Sequence, residues 1–396
     1  MSRTGSDERR GLRPATLGIH AGSPEPVPGG PVVLPVVQSA TFFGGAGEPA
    51  SDLLYSRYGN NPNQALIGAK MAALEGTEAA LLLSSGMSAI AMTILAALPK
   101  GGHVVASRHL YGATRALLES ELPGRGITTT LIDPDHAEAW EEALTAHTGV
   151  LLLEVPTNPT LRVFDPRFPA QIARDRGILL AVDGTFASPA NIRLAELGVG
   201  AVIHSATKYL GGHSDLIGGV VSGSRVLIER VRSMMKLYGP APDPHMAWLL
   251  DRGLKTLQMR MAQHNRNAME LARWFLERDG VAAVHYPGLP EHEDHAVASD
   301  IMLGFGGMLS VVLEGGGSAA DAFASALKVA LMAPSLGGVE TLVSQPRHTS
   351  HVHFSTAERV GLGIPDGFVR ISVGVEDVED LKEDFGRALT NLGRRL

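Results

Sequence analysis

The strongest constraint in this chain is a recurring unit: a short, unbroken apolar run that stops at small and polar residues. It appears in EAALLLSSGMSAIAMTILAAL, HVVASRHLYGATRALLESEL, VLLLEVPTNPT, ILLAVDGTFASP and VIHSATKYLGGHSD. Continuous rather than alternating runs mark strands covered on both faces, as in a parallel sheet flanked by helices. Several runs pass through a turn into a helix-period stretch, and the 46 glycines suit many such turns. The pattern predicts an α/β protein. In open parallel sheets ligands bind beyond the carboxyl ends of the strands, so the residues following each run are the ones to examine.

Those residues are chemically distinctive. Lys208 follows one run and sits among small hydroxyl and glycine residues, with Ser205 and Thr207 flanking Ala206 just before it. A lysine amine there can form a Schiff base with an aldehyde, and the hydroxyls can hold an anion beside it, as a pyridoxal phosphate (PLP) enzyme requires. Asp183 and Asn158 each end another run. A carboxylate such as Asp183, set against a pyridine nitrogen, keeps that nitrogen protonated so that the ring accepts electrons. Alone, it reads equally as a helix cap. Gly86 and Met87 stand where a strand turns into a helix, and the free amides of such a turn attract phosphate. Tyr111 stands at a similar turn and offers a face for stacking on a flat ring.

Composition narrows the alternatives. With 41 acidic and 34 basic residues the net charge is −7, which gives no general attraction to nucleic acid or anionic membrane. The absence of cysteine removes disulfides, thiolate catalysis and cysteine metal sites, and suits a cytoplasmic protein. No apolar run approaches the ~20 residues that cross a bilayer. The histidines of EHEDHAV and PRHTSHVHFS lie in polar, loop-like stretches, so no metal is expected. No GxGxxG turn follows the first run, which argues against a nicotinamide-dependent oxidoreductase.

The ends of the chain differ from its middle. Residues 1–60 are rich in Pro and Gly, lack a core pattern, and close on Tyr55 and Arg57, which read locally as a surface strand pair. A helix is expected from Gln64 to Leu74. After Pro244 a long helix-period stretch with few breakers leads toward a smaller α/β unit. There FVRISVG alternates, placing Phe368, Arg370 and Ser372 on one face and Val369, Ile371 and Val373 on the other. The planar Arg370 guanidinium suits a bidentate carboxylate, whether an internal salt-bridge partner or a ligand.

Together YSRYGNNP, SSGM, LYGAT, EVPTNPT, VDGTF, SATKYLGGHSD, SLGGVETL and VRISVGVEDVEDL resemble the Cys/Met-metabolism (trans-sulfuration) family of PLP enzymes, in order and from about Thr16 onward. The resemblance implies the PLP-dependent aminotransferase-like fold (fold type I). Its parts would be an arm over residues 1–60, a large PLP-binding domain with a mostly parallel sheet over 61–255, and a C-terminal substrate domain over 256–396. It implies that Lys208 carries the cofactor and shuttles protons, Asp183 pairs with the ring nitrogen, and Tyr111 stacks on the ring and assists elimination. Gly86, Met87, Ser205 and Thr207 would hold the phosphate, joined by Tyr55 and Arg57 from a neighbouring subunit. Asn158 would lie near the ring oxygen, while Ser335 and Arg370 hold the substrate carboxylate, all within a homotetramer of two active dimers.

The implied activity is γ- or β-elimination at a carbon–sulfur bond of cystathionine, methionine or cysteine. Replacement of the γ substituent by a thiol is the alternative, and a non-catalytic binding role is disfavoured by the joint presence of Lys208, Asp183, Tyr111 and Arg370. Three positions depart from family patterns. Pro334 precedes Ser335 where cystathionine-handling members often carry glutamate, Ala113 stands where methionine γ-lyases typically carry cysteine, and Gly184 follows Asp183 where many members have asparagine. The first two point away from the two most familiar substrates and leave the cofactor chemistry intact.

Overall fold

A computed structural model describes residues 11–45, 54–352 and 354–393. Among them the apolar runs become strands of one sheet: β1 (Ala79–Leu83), β2 (Gly102–Ser107), β3 (Ile127–Ile132), β4 (Thr148–Glu154), β5 (Leu179–Asp183), β6 (Ala201–Ser205) and β7 (Gly219–Gly223). Their order is β1-β7-β6-β5-β4-β2-β3, with β7 antiparallel to both neighbours and the pairs from β6 across to β3 parallel. Both faces are covered. Val104, Val105, Leu151 and Val182 have no exposed surface, and each such side chain stabilises the sheet by about 1.5–3 kcal/mol.

The remaining strands, β8 (Val281–His285), β9 (Met308–Leu313), β10 (Leu331–Met332), β11 (Leu342–Ser344) and β12 (Phe368–Ser372), form a second sheet ordered β10-β11-β12-β9-β8. Its alternation matches the sequence pattern. Val369, Ile371 and Val373 join a core with Phe275, Phe323 and Phe385 from the covering helices, so Arg370 and Ser372 occupy the opposite face.

The helix expected from Gln64 to Leu74 runs Pro62–Glu75, started by Pro62 and by a capping box between Asn61 and Gln64, and stopped at Gly76 with φ +73°. The long stretch after Pro244 is not one helix. It breaks into Pro244–Leu254 and Leu257–Leu276. The buried Arg260 guanidinium takes the Gly253 carbonyl at 2.8 Å and the Tyr209 carbonyl at 2.7 Å, tying the break to the loop that follows Lys208. The N-terminal segment is also more divided than its composition suggests. Helix Pro14–His20 packs Leu17 into the core and receives the Lys70 amine on Ile19 O at 3.2 Å. Val27, Val32 and Phe43 beyond it stay exposed.

Candidate active site

The carboxyl ends of the parallel strands open on a cavity of about 480 Å³, lined by Gly86, Met87, Tyr111, Asn158, Asp183, Ser205, Thr207, Lys208, Ser335 and Arg370 among others. Local sequence explains most of this edge. Helix Gly86–Ala97 starts directly after β1, and the Ser85 hydroxyl caps it by accepting the Ser88 N–H at 3.1 Å. The Gly86 and Met87 amides, like all first-turn donors, have no acceptor within the helix. Ser205 closes β6 and faces that turn so tightly that a Cβ on Gly86 would lie 2.8 Å from Ser205 Cβ.

Lys208 is half-buried, and its Nζ donates to Ser335 Oγ at 2.7 Å. Burial, reinforced by the Arg370 charge, lowers the amine to about 8, near the range where it is a neutral nucleophile. Ser335 has φ +85°, a left-handed conformation that a non-glycine residue adopts at a cost of order 1–3 kcal/mol. That conformation turns its hydroxyl to Lys208 and its carbonyl to Arg370, whose Nη2 donates to it at 2.7 Å.

Arg370 reaches the cavity from the second sheet. Its Nη1 donates to Asn158 Oδ1 at 3.1 Å, and its buried Nε has no partner. Among the described residues no carboxylate pairs with it, so the internal salt bridge that the sequence left open is not formed. Burial lowers this guanidinium to about 10. A buried cation without an anion is ready for a ligand carboxylate.

Asp183 lines the cavity and accepts the Thr185 N–H at 2.9 Å and its hydroxyl at 2.5 Å on the same oxygen, Oδ1, so these bonds leave Oδ2 free. Its pKa is raised by burial, against the pull of the Thr185 bonds and of His204. Opposite it on β4 stands Glu154, pushed up further by burial and then by the Asp183 charge.

The structure does not bring Tyr55 and Arg57 to this cavity within the chain. Arg57 is exposed, donates to Lys236 O at 2.6 Å and lies over the rings of Tyr55 and Tyr58. Sequence reasoning missed Glu154, Thr185, Phe186, Thr349 and Ser350 as lining residues. Glu154 ends a continuous apolar run just as Asp183 does, a signal that could have found it. Thr349 and Ser350 belong to the histidine-bearing loop, where no pattern marks them, and His353 lies outside the described residues. No cluster of metal-ligating side chains occurs among the described residues. Of the departures, Pro334 lines the cavity while Ala113 does not. A Cβ on Gly184 would meet Leu194 Cδ1 at 2.6 Å and His204 Cε1 at 3.0 Å, so this chain has filled that space with Leu194 and with His204 of β6.

Donor amides and hydroxyls for a phosphate, a carboxylate with a free oxygen, and a lysine of lowered pKa on one sheet edge fit pyridoxal phosphate, and define a PLP-dependent enzyme of fold type I. The match to the Cys/Met metabolism PLP-dependent enzyme family spans residues 15–390. A chloroplastic cystathionine γ-synthase 1 of Nicotiana tabacum is 39% identical over 91% of this chain and 68% of its own length. The L-methionine γ-lyase of Pseudomonas putida is 40% identical over 95% of this chain and 96% of its own. The crystal structure of cystathionine γ-lyase from Lactobacillus plantarum complexed with L-serine superposes with a TM-score of 0.91 at 35% identity, covering 96% of this chain and 100% of that one. The chain belongs to the Cys/Met metabolism family of PLP-dependent enzymes, the trans-sulfuration enzymes, and its cofactor is pyridoxal phosphate.

Proposed function

We propose that the protein is a carbon–sulfur lyase that eliminates the γ (or β) substituent of a sulfur amino acid such as cystathionine, methionine or cysteine. The observation that carries this reading is the pairing of a nucleophilic lysine with an unpaired guanidinium across one cavity, Lys208 and Arg370 meeting through Ser335. When bound, pyridoxal phosphate supplies an aldehyde for amine capture and a ring that accepts electrons. Arg370 and Ser335 hold the substrate carboxylate, and Asn158 steadies Arg370. Lys208 Nζ would hold the cofactor and, as a neutral amine, would take the Cα proton and hand it on. Asp183 Oδ2 holds the proton on the ring nitrogen. Tyr111 covers the ring, and Gly86, Met87, Ser205 and Thr207 hold the phosphate.

The replacement reading is favoured by one finding, the likeness to a named cystathionine γ-synthase at 39% identity, within a point of the 40% for a named methionine γ-lyase. A product assay separates the two. The protein is given cystathionine, methionine, cysteine and O-acyl homoserines, with and without a thiol. A 2-oxo acid and ammonia released without added thiol are expected. A thioether formed only with added thiol, with no 2-oxo acid otherwise, would replace the lyase reading with the transferase one.

The same reading takes residues 1–60 as an intersubunit arm, 61–255 as the cofactor domain and 256–396 as the substrate domain of a cytoplasmic homotetramer. It is supported by the exposed Arg57 outside its own cavity, by the exposed apolar residues of the arm and by the absence of cysteine. Among the described residues no helix is long and apolar enough to cross a membrane.

A further inference from the structure

Glu154 lies at the end of β4 with only 5% of its surface exposed, beside another carboxylate and without an ion-pair partner among the described residues. Such a group is costly to bury, so what it touches is informative. Its Oε2 accepts the N–H of Tyr111 at 2.8 Å, and its Oε1 accepts the N–H of Asn158 at 2.8 Å. The two amides belong to different loops, one after β2 and one after β4. Tyr111 has no side-chain cap on the short helix that follows it, so this carboxylate is what its amide faces.

We propose that Glu154 is a positioning residue that holds the Tyr111 and Asn158 loops at a fixed spacing along the cavity wall. Only a carboxylate can do this from that place. Both ends of the side chain must accept, and the isosteric amide would present an NH2 to one of the backbone donors. The link continues beyond the two loops. Asn158 accepts from Arg370, Arg370 donates to the Ser335 carbonyl, and Lys208 donates to the Ser335 hydroxyl. One bonded chain thus runs from Tyr111 to the lysine, with Glu154 as its junction. Burial and then Asp183 push its pKa up while the N–H groups of Tyr111 and Asn158 pull it down, so these two bonds are what favour the carboxylate form.

The inference rests on the assignment of Tyr111 and Asn158 to the ring, and its test needs no substrate. In the native holoenzyme the Tyr111 and Asn158 amides should exchange with solvent deuterium far more slowly than neighbouring loop amides. In Glu154→Gln the amide left facing the NH2 should speed up by roughly 10- to 100-fold, the worth of a hydrogen bond to a charged acceptor, while the other keeps an acceptor. The visible ellipticity of the bound cofactor should fall as well. Native amides that exchange as fast as their neighbours would overturn the proposal even if no variant folds. A folded Glu154→Gln with parental exchange, or with parental ellipticity, would overturn it too. A wrong choice between elimination and replacement would alter none of these readouts.

Discussion

Replacing Gly86 with alanine sets two physical effects against each other. Gly86 opens helix Gly86–Ala97, and its φ is not in the left-handed range, so intrinsic propensity alone favours alanine by up to about 1 kcal/mol. The new Cβ, however, would stand 2.8 Å from Ser205 Cβ and 3.1 Å from its Cα and Oγ. Ser205 has little room to retreat. Its N–H is bonded to Thr185 Oγ1 at 2.8 Å, and it pairs with Gly219, where a Cβ would already meet Ser85 O at 1.9 Å. The start of the helix must therefore move, and with it the Gly86 and Met87 amides proposed to hold the phosphate. Overpacking of this kind costs about 1–3 kcal/mol, which corresponds to a roughly 5- to 150-fold rise in the cofactor dissociation constant. The assay is titration of the cofactor-free protein with pyridoxal phosphate. Gly124→Ala, at a glycine with nothing within 4 Å of the added Cβ, is the control and should bind as the parent does. Parental affinity in Gly86→Ala would refute the contact argument.

The other predictions test charge and assembly. With Lys208 lowered to about 8 rather than its ordinary 10.5, only the neutral amine attacks, so the rate of cofactor capture should climb with pH up to about 8 and level off above it. A rate still climbing at pH 10 would contradict this. Asp251→Asn should destabilise the protein by about 3–5 kcal/mol in urea unfolding, because it strips the charge partner from Lys70, fully buried at 2.6 Å from Asp251. A loss below about 1 kcal/mol would mean that Lys70 loses its proton without consequence. Mixing Arg57→Ala with Lys208→Ala subunits, each nearly inactive alone, should restore part of the activity if Arg57 serves another subunit's phosphate. No recovery despite demonstrated subunit exchange would place Arg57 with its own chain.

What the sequence determined by itself is the edge on which the site lies. Continuous apolar runs require strands covered on both faces, and the residues after them, Ser205, Lys208, Asp183, Asn158 and Gly86, stand at strand ends whatever the rest of the chain does. The face of β12 that carries Arg370 was equally legible, since strand alternation is a local property. Tertiary structure alone decided which remote groups meet there. Arg370 reaches Asn158 across 212 residues and Lys208 reaches Ser335 across 127, contacts that depend on how the second sheet docks against the first. The break between Leu254 and Leu257 was hidden for the same reason, because the carbonyl at the helix end is taken by an arginine that also reaches back to the Lys208 loop. Glu154 shows both levels at once. Its place at the end of an apolar run is written in the sequence, but its hold on two loops exists only once β2 and β4 lie side by side, because pairing brings together backbone donors that no local pattern encodes.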